Sequence, residues 1–416
     1  MLATDALSGP IRYGLQALGL VGLSYAPFLA VAALVAAYVV TAFGSLRRDA
    51  IALAILALPA FWLPYALLLG QPPAQVAFGL YTWMPVFLGM VVVATGAAGA
   101  ALRLVAFVWA VAVAGVLANL AFRFPWVGES YEIFGVQAEF AREWQAFGVD
   151  RLPGFSRASF TAANQIAIGG ALLLAGAMPS ARKVVVWLVS VVAIGLTTSK
   201  APLAAMFAAP LFLLLHDRLP GRSRFRFSQF VIGGLLAVAI GLPVAALLGL
   251  RFGEGGNLAF LSFGSVVARM EEMWPRAYAL LDPAWPRLLL GVGFGGIGAG
   301  QAYFDPARFS PGDNLFVFLA TTFGVGALVF VVAFWRGDAA LFEATPPRHR
   351  LFFLLAMLVL ILGAMANVVE SVLSGFLLGL VAGKALDPRA AAGEAARSLP
   401  VRRPGGPPPL VTPVRI

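Results

Sequence analysis

Polar and charged positions along this chain fall between long apolar runs and rarely inside them. Runs long enough to cross a bilayer lie at about 9–25, 27–44, 50–70, 75–95, 100–122, 160–178, 182–198, 200–216, 228–250, 314–335, 350–366 and 368–385. Gly9, Pro10, Arg12 and Gln16 make the first of these short and polar. The N-terminus carries only Asp5 and Arg12 as charges and lacks the basic start and small-residue cleavage site of a removable signal peptide, so it reads as a retained first helix. The pattern predicts an all-α, polytopic integral membrane protein. Residues 1–385 hold about 12 transmembrane helices, with two long loops at 123–159 and 251–313. Residues 386–416 contain Pro400, Pro404, Pro407, Pro408, Pro409 and Pro413 with little apolar periodicity and read as a disordered tail.

Composition narrows the chemistry. Of 416 residues, 61% are hydrophobic and 12% charged, against roughly 45–50% and 25% in a soluble domain. Twelve spans of about 20 residues absorb that excess without a large water-soluble domain. Cysteine is absent, which excludes disulfides, iron–sulfur clusters and thiolate zinc sites, and two histidines leave no His-rich metal site. Any chemistry rests on Arg, Asp, Glu and backbone groups.

The 29 Lys and Arg residues give a net charge of +10, a surplus compatible with nucleic acid until it is sorted by side. Alternating the loops places 18 of the 29 in one set. That set comprises the short loops around Arg47, Arg103, Arg182, Arg222 and Arg348, together with the tail from Lys384. The other set, with both long loops, holds 10, and Arg12 completes the count. The positive-inside rule then puts both termini in the cytoplasm and both long loops outside, and dropping the first span would move only the N-terminus. Insertion rules and anionic lipid account for the surplus, so no nucleic-acid partner is expected.

Ionisable residues inside the spans are confined to Arg103, Lys200 and Glu370 near span ends, unlike the midplane carboxylate of an ion pump. The two long loops instead mix both signs of charge with Trp126, Tyr131, Trp144, Trp274, Tyr278, Trp285 and Tyr303. Arginine's planar fork suits phosphate, and aromatic faces suit sugar rings or a lipid interface. The same aromatics serve equally as interfacial anchors. Val266, Val267, Met270, Trp274 and Leu281, at near-helical spacing, fit an amphipathic helix lying on the bilayer. Gly291 to Gly296 satisfies G-x-G-x-x-G but lacks a preceding strand, so it reads as a glycine turn that lets backbone approach a lipid phosphate or another helix. Gly233-Gly234 and Gly375 to Gly379 read as helix-packing positions.

Three stretches carry a more specific pattern. Arg151-Leu152-Pro153-Gly154-Phe155 precedes Phe160-Thr161-Ala162-Ala163-Asn164 at a span start, and Thr197-Thr198-Ser199-Lys200 fills a tight outer turn. Arg269, Trp274 and Ala277 are followed by Leu290-Gly291-Val292-Gly293-Phe294-Gly295, then Asp313-Asn314-Leu315 and Phe323-Gly324-Val325-Gly326. In this order, over about 151–326, they resemble the O-antigen polymerase and ligase superfamily of membrane glycosyltransferases, with a GT-C-like fold. Lys200 stands where relatives commonly have Arg. Ligases of this superfamily look like His-Asn where this chain has Asp313-Asn314, and His216 and His349 both fall on the predicted cytoplasmic side. The sequence is closer in this respect to the Wzy-type repeat-unit polymerases.

The resemblance implies glycan transfer from an undecaprenyl-diphosphate donor to a sugar hydroxyl of a lipid-linked repeat unit, at the periplasmic face of a bacterial inner membrane. The product would be O-antigen, capsule or exopolysaccharide, with a chain-length regulator as a candidate partner. A diphosphate leaving group needs fixed cations, and Arg takes the place of a metal, so no metal or cofactor is expected. Arg151 and Arg269 are assigned to the diphosphate, with Arg157, Lys200 and Arg276 as further cations. Asn164, Trp274, Gly293, Gly295 and Asn314 are substrate-binding candidates by motif. Asp313 either orients or deprotonates the acceptor hydroxyl, or is simply a helix N-cap; Glu271, Glu272 and Asp150 are alternative bases. Competing readings are a ligase transferring glycan to lipid A or protein, a lipid-linked oligosaccharide flippase or permease, and a scaffold subunit.

Overall fold

The computed structural model describes residues 1–46, 49–133, 136–146, 148–250, 264–282, 285–344 and 346–386. The tail predicted to be disordered lies outside the described residues. Two short helices open the chain, α1 (Leu2–Ala6) and α2 (Ser8–Ala17). Then follow α3 (Ala26–Ala42), α4 (Ala50–Leu68), α5 (Pro73–Ala94) and α6 (Ala98–Ala121). After an irregular segment come α7 (Ser159–Ala175), α8 (Ser180–Leu196), α9 (Lys200–Arg218) and α10 (Gly221–Leu247). Shorter pieces follow: α11 (Gly264–Ala268), a π turn (Arg269–Met273), α12 (Trp274–Ala279), α13 (Trp285–Leu290) and α14 (Ala299–Phe304). The chain closes with α15 (Leu315–Phe323), α16 (Leu328–Ala344), α17 (Pro346–Gly363) and α18 (Val372–Leu386).

Among the described residues, seven helical segments are long and apolar enough to cross a membrane, and α7 and α18 are shorter apolar helices. The protein is a helical, multi-pass membrane protein. The expected first span at 9–25 does not form. Its chain reverses at Gly19, whose φ of +69 suits glycine, and re-enters as a 3-10 turn at Val21–Tyr25 that runs into α3. The backbone N–H of Gly9 instead donates to the Phe155 carbonyl at 2.9 Å, and Tyr13 packs edge-on to Phe140. The N-terminal helices therefore sit at the end of the bundle that carries 123–158. The end of α18, where Ala385 approaches Gly337 of α16, lies at the opposite end.

All-round apolar helices belong in the middle of a helical array, and α17 occupies that place: residues 352 to 360 are each at most 1% exposed. Its neighbour α18 packs against α5 through Gly375, Gly379 and Gly383, one helical turn apart. A Cβ on Gly379 would overlap the Val86 carbonyl, and one on Gly89 would overlap that of Phe376, so the two backbones touch. Gly233 fits beside Trp335, whereas Gly234 faces open space.

At the end away from 123–158, a buried polar network joins four helices. His216 Nε2 lies 3.2 Å from His349 Nδ1, His349 Nε2 lies 2.9 Å from the Asp338 carboxylate, and Ser228 Oγ donates to Asp338 at 2.7 Å. Arg350 continues it to Asp217 at 2.8 Å. At the other end the helical fold carries two short antiparallel strand pairs within 123–158: β1 (Ser130–Ile133) with β2 (Val136–Glu139), and β3 (Trp144–Ala146) with β4 (Val149–Arg151). The 266–281 stretch is helical as expected. It docks on the bundle instead of lying on a bilayer, with Trp274 and Ala277 fully buried.

Gly379→Leu is expected to abolish folding, since backbone has to move on both helices, whereas Gly234→Leu at an open position is tolerated. Size-exclusion chromatography of the detergent-solubilised variants checks this: a monodisperse Gly379→Leu protein would contradict the packing described.

Candidate functional site

A cavity of about 1550 Å³ opens at the hairpin end, larger than the roughly 300–1,000 Å³ of most small-ligand pockets. Its wall is built from α2, the hairpin segment, α7, the α8–α9 turn, α11 with its π turn, the 299–313 segment and the 365–372 stretch.

The β3–β4 hairpin sets the first side chains by register. Trp144 pairs with Arg151 across the hairpin, and Arg142 precedes Trp144 by two residues; such positions share a face in extended chain. Both guanidinium carbons lie near the Trp144 ring, at 5.4 Å for Arg142 and 5.6 Å for Arg151. Arg151 Nε donates to the Thr197 carbonyl and Nη2 to Ser199 Oγ, each at 3.2 Å. Thr198 adopts a left-handed φ of 54° at this turn, a costly conformation for a β-branched residue. Lys200 follows at the start of α9.

Arg269 reaches the same region from the π turn, an irregularity frequent at functional sites. Its Nη2 lies 3.1 Å from Asp313 Oδ2 and its Nη1 donates to the Ser265 carbonyl at 2.8 Å, while its buried Nε has no partner. Burial, and then the neighbouring Arg269 charge, lower the Arg151 pKa. Arg151 is held by a carbonyl and a hydroxyl, and Arg269 by the Asp313 carboxylate. Burial raises the Asp313 pKa while Arg269 opposes that shift.

The alternative of Asp313 as a helix cap is settled by its neighbour. Asn314 is the N-cap of α15, its Oδ1 accepting from the N–H groups of Phe316 and Val317 at 2.8 and 3.0 Å. Its Nδ2 donates to the carbonyls of Ala239 and Ala364 at 2.8 and 2.9 Å. Asn314 is fully buried and fully bonded and does not line the cavity. Asp313 is thereby left to face the cavity.

Three more motif positions are engaged in packing and do not line the cavity. Trp274 is buried with its Nε1 3.5 Å from the Asp313 carbonyl. Gly293 and Gly295, at φ of +78 and +79, let the 291–298 turn lie directly on α4 and α5; a Cβ on Gly295 would overlap the Gln75 carbonyl. Gln75 Nε2 and Trp62 Nε1 hold that turn through the Gly295 and Leu290 carbonyls, each at 2.8 Å. Arg276, Glu271 and Glu272 are exposed and do not line the cavity, nor does Asp150, which accepts from Gln145. Asn164, Arg157 and Lys200 do line it.

A second set of side chains was not among the candidates. Arg12 from α2, Arg142, Tyr303 and Glu370 face the cavity, and Arg157 Nη2 is 2.5 Å from the Tyr303 hydroxyl. Glu370 Oε1 accepts the Ala299 N–H at 2.6 Å, and burial pushes the carboxyl pKa up to about 7. Its signal in the sequence was an acid at the edge of an apolar run. Arg12 was visible only as a flaw in a supposed span. The remaining wall is apolar, with Leu15, Leu23, Phe28, Leu203 and Phe207. Leu23 and Phe207 are 55% and 49% exposed on the helical perimeter. Among the described residues no three His, Asp or Glu side chains come together as metal donors.

No family model matches the chain, and neither a curated protein nor a solved structure is significantly similar to it.

Asn314→Ala is expected to cost about 3 kcal/mol, since it removes a cap and strands two buried carbonyls. The apparent Tm in detergent should fall. An unchanged Tm with lost function would restore Asn314 as a ligand-binding residue.

Proposed function

We propose that this protein is a membrane glycosyltransferase that polymerises lipid-diphosphate-linked oligosaccharide repeat units at the periplasmic face of a bacterial inner membrane. The observation that carries the reading is one cavity joining guanidinium groups with unpartnered nitrogens to an apolar perimeter. Its ligand is expected to carry an anionic head and a hydrocarbon tail. Support also comes from the motif stretches resembling the O-antigen polymerase and ligase superfamily: Arg151, Lys200, Arg269 and Asp313, distant in sequence, line the same wall.

In this reaction the acceptor sugar oxygen attacks the anomeric carbon of the donor. The bond from that carbon to the diphosphate oxygen breaks, and its electron pair leaves with the diphosphate. Arg151, Lys200 and Arg269 stabilise the developing charge; one such donor is worth about 2.7–4 kcal/mol by analogy with an oxyanion hole. The acceptor hydroxyl proton passes to a carboxylate. Asp313 is engaged by Arg269 and serves to orient it, and Glu370, with a pKa near neutrality, is the better-matched base. A histidine-dependent ligase is disfavoured because His216 and His349 are bonded to each other at the far end of the bundle.

Arg151→Ala and Arg269→Ala are expected to leave membrane insertion intact while abolishing long chains, so that single repeat units remain on their acceptor. Gel analysis of cell-surface glycan checks this, and normal-length polymer in either variant removes that residue from the site. Glu370 acts as a base only when ionised, so turnover should rise as pH increases through about 7 and then level off. Glu370→Gln should lose both the activity and that ionisation; a fully active variant with an unchanged pH profile would exclude Glu370 as the base.

A further inference from the structure

One leaving diphosphate does not account for all the cations on the cavity wall, which fall into two groups. Arg151 is bonded to Thr197 and Ser199 and Arg269 to Asp313, whereas Arg157 is bonded to Tyr303 and Arg142 stands beside Glu139. The Trp144 ring has Arg142 from one group and Arg151 from the other beside it.

The second group keeps buried nitrogens without partners. Arg157 has the Tyr303 hydroxyl as a side-chain partner and a buried Nε with none, and Arg12 has a buried Nη1 with none. Three acidic side chains face this group. Glu139 stands 3.6 Å from Arg142, Asp5 accepts from Gln165, and Glu370 accepts from Ala299. Burial raises Asp5 to about 6 and Glu370 to about 7, so near neutral pH Asp5 is largely ionised and Glu370 only partly. Enclosed guanidinium groups that keep unpartnered N–H donors at a cavity wall call for an anionic ligand.

Each group also has its own apolar track. On α9, Lys200, Leu203 and Phe207 share one face at helical spacing and end at an exposed ring. On the other side Arg12 is followed one turn later on α2 by Leu15, with Leu23 and Phe28 beyond, ending at the exposed Leu23. Both tracks lead from cations to the bilayer-facing perimeter.

We propose that Arg12, Arg142 and Arg157, with Tyr303, form a second and separate anion site that takes the diphosphate of a second lipid-linked molecule, the acceptor. The proposal rests on the polymerase reading, because a reaction between two lipid-anchored glycans is what requires two such heads in one cavity. A ligase or a carrier of one lipid would need only one. The position of the N-terminal helices is essential, since α2 brings Arg12 and Leu15 to this site.

The test is binding stoichiometry, independent of turnover. Full-length protein in phosphatidylcholine nanodiscs is titrated with farnesyl diphosphate, a short lipid diphosphate, and the bound number is read by native mass spectrometry. Two molecules per chain are expected. Arg157→Gln, and separately Arg12→Gln in case the first fails to fold, should each weaken one of the two at least tenfold. Arg269→Gln should weaken the other. A single bound molecule, sensitive to Arg269→Gln and indifferent to both other variants, overturns the second site while leaving the polymerase reading standing. No binding to the wild type overturns both. Displacement of only the Arg157-dependent molecule by phosphatidylglycerol in the disc would assign that site to a bilayer lipid and also overturn the acceptor assignment. Inorganic pyrophosphate binding at both sites as tightly as the farnesyl compound would contradict the apolar tracks.

Discussion

Guanidinium groups held at the wall of a low-dielectric cavity, with too few fixed carboxylates to neutralise them, are the constraint on which this structure turns. At an effective dielectric constant near 20, two like charges about 4 Å apart repel by roughly 4 kcal/mol. The Arg269–Asp313 contact at 3.1 Å offsets part of this in one place. Elsewhere the fold holds the charges by covalent geometry and backbone hydrogen bonds: a hairpin register for Arg142 and Arg151, a left-handed Thr198 turn that presents the Thr197 carbonyl, and a π turn under Arg269. Strained and irregular backbone gathers where charge gathers, as expected of pre-organised sites.

The helices beneath supply rigidity. α17 is buried along its middle, and α5 and α18 touch backbone to backbone through glycine, so neither can slide without clashing. Asn314 transmits that rigidity to the site, tying the start of α15 to carbonyls of α10 and of the chain just beyond α17. Asp313, one residue earlier, inherits a fixed position. At the far end, Asp338, His349 and His216 clamp the bundle in an equivalent way with no access to the cavity.

Much of this was legible in the sequence, and the failures have physical causes. Long apolar runs identified the helices well because a bilayer demands them. The 9–25 run misleads because Arg12 and Gln16 read as blemishes in a span; with the turn at Gly19 they mark a segment that turns back onto the hairpins. The motif cations Arg151, Lys200 and Arg269 do converge. Trp274, Gly293, Gly295 and Asn314 belong to the same motif yet hold the wall from behind, since spacing alone does not separate a ligand from a support. Arg142, Arg157 and Glu370 come together through tertiary folding across more than 200 residues, which no local pattern reports. The hairpins were missed because short strands in a charged loop lack the period-2 apolar signal.

The most direct measurement is reconstitution of the purified protein in proteoliposomes with lipid-diphosphate-linked repeat units, followed by gel electrophoresis of the glycan. The account predicts a ladder of lengthening chains with stoichiometric release of lipid diphosphate. Intact repeat units moved across the bilayer without elongation, or glycan transferred only once to a different acceptor, would contradict it.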